Sequence, residues 1–103
     1  MSKLPANYDL TGKAALITGA AGLLGREHAA ALVECGAHVV LTDLKADALE
    51  AARAALVQSL PGALVACHVM DVTDRDSIRR VAGALAAAGM PIDILVNLSL
   101  IHI

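Results

Sequence analysis

Thr18 and the glycines at 19, 22 and 25 are the residues whose types and spacing point most directly to chemistry. They close the stretch KAALITGAAGLLG, residues 13–25, in which a short apolar run leads into the glycines and a helix-like segment follows at once. A strand, a glycine-rich turn and a helix start in that order suit an anion. Gly19 lets the chain turn tightly off the strand, Gly22 lets backbone approach a ligand closely, and Gly25 lets the helix pack close to the sheet. The unpaired N–H groups and positive dipole end of the helix then face a phosphate or pyrophosphate. The same three glycines also suit a plain strand–helix connection with no ligand.

Two carboxylates add to this. Asp43 follows the second apolar run and lies about 20 residues beyond the glycine turn, where its carboxylate would accept hydrogen bonds from the hydroxyls of a dinucleotide's adenosine ribose. It would also repel a 2′-phosphate, which favours NAD over NADP, although Lys45 softens that repulsion. A helix-capping aspartate is the other reading of Asp43. Asp71 and Val72, in HVMDVTD, follow the third apolar run and offer a carboxylate and a backbone N–H that could read an adenine edge. Their other reading is a turn into a helix capped by Thr73. Asn97 ends the fourth run, where its amide could brace a loop and line the same cleft.

The elements that must hold these residues alternate. Strands are predicted over residues 14–18, 38–42, 63–69 and 92–96, each a nearly continuous run of Val, Leu, Ile and Ala that suits parallel strands buried on both faces. Three helices separate them. The first, near 22–35, presents Leu24, His28, Ala31, Leu32 and Cys35 inward. The second, near 46–59, presents Leu49, Ala52 and Leu56 before Pro61-Gly62 stops it. The third starts at the Thr73 cap, with Asp76 reaching back, and presents Ile78, Val81, Ala82 and Leu85. Such alternation means right-handed βαβ crossovers and a parallel sheet. All the chemistry-bearing residues fall at strand C-terminal ends, where open α/β sheets bind ligands.

Composition narrows the function classes. A net charge of −2 gives no basic surfeit for nucleic acid. No apolar run reaches membrane-spanning length and the N-terminus has no signal-peptide core, so a soluble cytoplasmic protein is expected. Cys35 and Cys67 are far apart, outside any CxxC pair, and are read as reduced thiols. The histidines form no ligand cluster, so no metal site is expected.

From Leu10 to Asn97 the chain resembles the short-chain dehydrogenase/reductase family. The resemblance rests on Leu10-Thr11-Gly12-Lys13, on the stretch from Thr18 to Gly25, on Asp43, on Asp71-Val72 and on Asp93-Ile94-Leu95-Val96-Asn97. It implies an α/β fold, a partial Rossmann domain: a doubly wound parallel sheet of four strands and three helices in the order 3-2-1-4. It implies cofactor contacts at Gly19, Gly22, Leu24, Gly25, Asp43, Asp71, Val72 and Asn97, with NAD preferred to NADP. It also implies a parent that moves hydride between the nicotinamide and a small alcohol or carbonyl substrate and assembles as a homo-oligomer. The glycine spacing departs from the oxidoreductase branch's T-G-x-x-x-G-x-G and resembles the extended branch that modifies nucleotide sugars. An epimerase or dehydratase, or a non-catalytic dinucleotide-binding module, are therefore the alternatives.

The family's chemistry needs a Tyr, a Lys four residues later and a Ser. The one tyrosine is Tyr8, and Gly12 stands four residues on, so no catalytic residue is assigned and the 103-residue chain is expected to be inactive. After Asn97 the family would continue Asn-Ala-Gly, whereas residues 98–103 read LSLIHI. That string resembles a translated sequencing-adapter tail. Residues 1–97 are thus expected to be an NAD(P)-binding half-domain and 98–103 a non-native tail, the alternative being a genuine short product.

Overall fold

The computed structural model describes residues 9–97, apart from the side chains of Leu23 and Leu24. Tyr8, Ser99 and the expected 98–103 tail therefore lie outside the described residues. Within them the order is β1 (Ala14–Thr18), α1 (Leu23–Glu34), β2 (His38–Asp43), α2 (Ala46–Ser59), β3 (Val65–Val69), α3 (Arg75–Ala87) and β4 (Ile94–Asn97). The strands form one sheet in the order β3-β2-β1-β4. Every pairing is parallel, with Leu16 opposite Val40 and Leu95, and Leu41 opposite Cys67.

Strand alternation splits the core into two layers. Ala15, Ile17, Val39 and Leu41 pack with Ala29 of α1 and with Leu49, Ala52 and Leu56 of α2. Leu16 and Val40 point the other way and pack with Met70 and with Val81 and Leu85 of α3. Two helices thus cover one face and one helix the other, which gives a doubly wound, three-layer arrangement. β1 is buried along its whole length and β2 along its four inner residues, as expected for central parallel strands. The outer strands are only half covered, and Leu95 of β4 is 65% exposed.

The helix faces differ from expectation in detail. His28 and Ala31 are exposed, and α1 instead turns Gly25 and Ala29 inward, with Leu32 and Val33 half-buried. Gly25 explains this: a Cβ there would lie 2.7 Å from Ala20 Cα, so the helix has to present Gly25 to the turn. The inner face of α2 is the expected Leu49, Ala52 and Leu56. On α3 the buried residues are Ser77, Val81 and Leu85, while Ile78 and Ala82 face outward.

Candidate functional site at the strand ends

β1 ends where Gly19 takes a positive φ of 62°, a conformation that costs a glycine little and most other residues considerably more. The turn that follows is fastened to the end of β2. Ala20 N–H donates to Thr42 O at 3.0 Å. Ala21 N–H donates to Asp43 Oδ2 at 3.1 Å. Thr42, almost wholly buried, returns its hydroxyl to Ile17 O at 2.7 Å, which closes the link between the two strands. Asp43 Oδ1 accepts the Leu44 N–H at 2.7 Å.

Gly22 is the N-cap of α1. Its backbone is extended, no side chain caps the helix, and the first turn carries no acidic residue. The helix N-terminus therefore keeps uncapped N–H donors and an uncompensated positive dipole end. A Cβ on Gly22 would meet nothing nearer than Gly19 O at 3.7 Å, so the outer side of the turn is open. At Gly25 the backbone of Gly19 and Ala20 is within 2.9 Å of the same added atom, so the close approach is to the turn itself. Leu24 is helical in backbone, and its side chain lies outside the described residues.

The sheet order brings the other expected residues to the same edge. Thr18 stands opposite Asn97 and donates its hydroxyl to Asn97 Oδ1 at 2.9 Å. This fixes the amide's oxygen against β1 and leaves its NH2 group as the donor end. Met70 N–H donates to Asp43 O at 3.0 Å, which sets β3's exit beside that of β2. Asp71 follows, and its Oδ1 accepts both the N–H (2.9 Å) and the hydroxyl (2.6 Å) of Thr73. Those two bonds, the hydroxyl's first, hold the Asp71 carboxyl below the usual aspartate range. Val72 beside it is half exposed.

Thr73 is thereby occupied and does not cap α3. Asp74 does, accepting the Asp76 N–H at 2.9 Å. The cap lies one residue later than expected from sequence, because Thr73 and Asp74 are both competent N-caps and nothing local says that Asp71 takes the Thr73 hydroxyl.

Three residues with supporting roles were missed. Ser77 is buried and accepts the Asp71 N–H on its hydroxyl at 3.0 Å, which sets the turn that carries Asp71 and Val72. Asp93 accepts the Ala14 N–H at 2.9 Å and donates its own N–H to Ala14 O, starting the β1–β4 ladder. Thr42 carries the bond to β1 described above. A serine one turn before Val81, outside the expected stripe, and a threonine closing an apolar strand were the available signals.

A cavity of about 330 Å³ lies elsewhere. Its lining includes Gly36, Ala37, Gly62, Ala63 and Leu64, which precede β2 and β3. It therefore opens at the entry ends of the strands, opposite the glycine turn and Asp43. Among the described residues no group of His, Cys, Asp and Glu could hold a metal ion. No helix there is long and apolar enough to cross a membrane.

A parallel sheet of this order, with a glycine turn, an uncapped helix N-terminus and an acid at the end of β2, defines a dinucleotide-binding type of α/β domain. The model of the short chain dehydrogenase family matches residues 13–99, and the chain belongs to that family. It is 39% identical over 89 residues to the short chain dehydrogenase/reductase dpmpG of Macrophomina phaseolina, covering 86% of this chain and 50% of that protein. It is 46% identical over 89 residues to a sorbitol dehydrogenase of Cereibacter sphaeroides, covering 85% and 32%. An NAD-dependent glycerol dehydrogenase of Listeria innocua is 35% identical over 91 residues, covering 88% and 34%. The crystal structure of a short-chain type dehydrogenase/reductase from Mycobacterium marinum superposes with a TM-score of 0.83 at 32% identity, over 93% of this chain and 38% of that one. The chain spans half or less of the length of each of these relatives.

Proposed function

We propose that this chain is the NAD-binding part of an oxidoreductase that moves hydride between a nicotinamide and a small alcohol or carbonyl substrate. The observation that carries the reading is the position of Asp43: its carboxylate sits at the end of β2, within hydrogen-bond distance of the glycine turn. The residues present fit a dinucleotide. The open side of Gly22 and the uncapped N-terminus of α1 suit a pyrophosphate. Asp43 suits the adenosine ribose hydroxyls, and Asp71, Val72 and Asn97 stand at the same end of the sheet. When bound, the nicotinamide supplies the hydride chemistry, while this chain's residues bind and orient the cofactor.

Asp43 disfavours a 2′-phosphate by like charge, and a relative named NAD-dependent supports NAD over NADP. Relatives named as sorbitol and glycerol dehydrogenases support an alcohol or carbonyl substrate class. The glycine spacing favours a second reading, an extended-type enzyme acting on nucleotide sugars. The dehydrogenase names among the relatives support the first.

Titration of the purified chain with NADH and NADPH, read by nicotinamide fluorescence, tests the reading. Saturable NADH binding is expected, with NADPH at least about tenfold weaker, or roughly 1.4 kcal/mol. No saturation by NADH, or equal affinity for the two, overturns it. With no Tyr-x-x-x-Lys in its 103 residues, the chain is expected to turn over no carbonyl substrate. Steady-state NADH oxidation by the pure chain would contradict that.

A further inference from the structure

We infer that Asp43 is a positioning residue for the glycine turn, in addition to the ribose contact that the proposed NAD-binding function gives it. Two successive turn amides are tied to the end of β2 by different means. Ala20 N–H goes to the backbone oxygen of Thr42, a bond any residue at 42 can accept. Ala21 N–H goes to the side chain of Asp43, so this bond depends on residue type. Only a short side chain with an oxygen on Cγ, Asp or Asn, places an acceptor there without rearrangement. The second carboxylate oxygen is held by Leu44 N–H, which fixes the plane of the group.

The arrangement has an electrostatic logic. An acid beside a phosphate-binding turn would by itself repel the phosphate. Two N–H donors on the carboxylate offset part of its charge while leaving lone pairs for ribose hydroxyls. The same carboxylate thereby sets the orientation of the turn that precedes Gly22 and α1. Removing the acid to admit NADP would therefore also loosen the pyrophosphate turn. Only Asn at 43 would separate the two effects.

The test uses the full chain and the variants Asp43→Ala and Asp43→Asn, each checked for native circular dichroism. Asp43→Ser, too short to reach Ala21, replaces Asp43→Ala if that variant does not fold. First, exchange of the Ala21 amide is followed by NMR without nucleotide. We expect it about tenfold faster in Asp43→Ala and close to the parent in Asp43→Asn, as loss and retention of one hydrogen bond predict. Unchanged exchange in Asp43→Ala overturns the inference. Second, ADP and 2′,3′-dideoxy-ADP are titrated. A residue that only binds ribose loses affinity for ADP alone. A residue that also positions the turn loses affinity for both in Asp43→Ala, and Asp43→Asn restores dideoxy-ADP binding. Equal dideoxy-ADP affinity in the parent and Asp43→Ala overturns the inference. If the parent binds neither nucleotide, the NAD-binding function fails, and the Ala21 exchange still decides whether Asp43 holds the turn.

Discussion

Gly22 and Gly25 stand one helical turn apart and have opposite tolerances. At Gly25 a methyl group would be forced against the backbone of Ala20 and Gly19, which cannot give way as a flexible side chain would. Gly25→Ala is predicted to cost about 1–3 kcal/mol in chemical denaturation, the usual range for overpacking. Gly22→Ala meets open space and has an ordinary extended backbone, so denaturation should be within about 0.5 kcal/mol of the parent. Under the proposed NAD-binding function NADH affinity should fall, because the added methyl would take up open space on the side from which a pyrophosphate would approach. A Gly22→Ala variant with unchanged NADH binding would remove that part of the account. Asp71 supplies a pH prediction. Its folded pKa is depressed by Thr73, so the turn's contribution is complete above the ordinary aspartate range and is lost only as pH falls through the lowered folded value. Between about pH 5 and 8 the Thr73 amide shift should therefore be flat. A titration step inside that window would contradict the hydrogen-bonded turn.

At the scale of the elements, α3 shows what local sequence could and could not tell. Its existence, its Val81 and Leu85 stripe and its place between β3 and β4 were legible from apolar spacing. The cap was not, because Thr73 and Asp74 are both competent N-caps, and only the turn's geometry, in which Asp71 takes the Thr73 hydroxyl and Asp74 the Asp76 N–H, decides between them. Asp74→Ala should cost about 1 kcal/mol by thermal or chemical denaturation, whereas Thr73→Ala should leave the helix cap intact. Loss of stability from Thr73→Ala matching that of Asp74→Ala would reverse the assignment. The face of α1 was misread for a related reason. Its small residues, Gly25, Ala29, Ala30 and Ala31, give hydropathy little contrast, and the face is chosen by where backbone can approach backbone. In α2 three larger or well-spaced apolar residues, Leu49, Ala52 and Leu56, carry a clear stripe, and it was read as it stands.

For the molecule as a whole, the alternation of apolar runs with helical segments was enough to give a parallel sheet, while its order, β3-β2-β1-β4, came from the family resemblance. It was also enough to gather the glycine turn, Asp43, Asp71, Val72 and Asn97 at one end of it. What pattern could not give was the set of long-range bonds that align that end: Thr42 to Ile17, Thr18 to Asn97, Ala21 to Asp43 and Ala14 to Asp93. Each joins residues far apart in the chain, and their partners emerge only once the register exists. The sheet also has a weak side. Among the described residues β4 is an edge strand, and Leu95 stands out of it largely exposed. Edges of this kind template association. Leu95→Lys should raise the concentration at which the chain stays monomeric in analytical ultracentrifugation, with little change in unfolding temperature. An unchanged association behaviour would locate the sticky surface elsewhere.

The most direct test of the central claim is a residue-by-residue map of amide shifts as NADH is added to the 15N-labelled chain. The account predicts saturable changes at Gly19, Gly22, Gly25, Asp43, Val72 and Asn97, with Gly36 and Gly62 at the opposite end silent. Changes confined to the cavity around Gly36 and Gly62, or no saturable change at all, would contradict it.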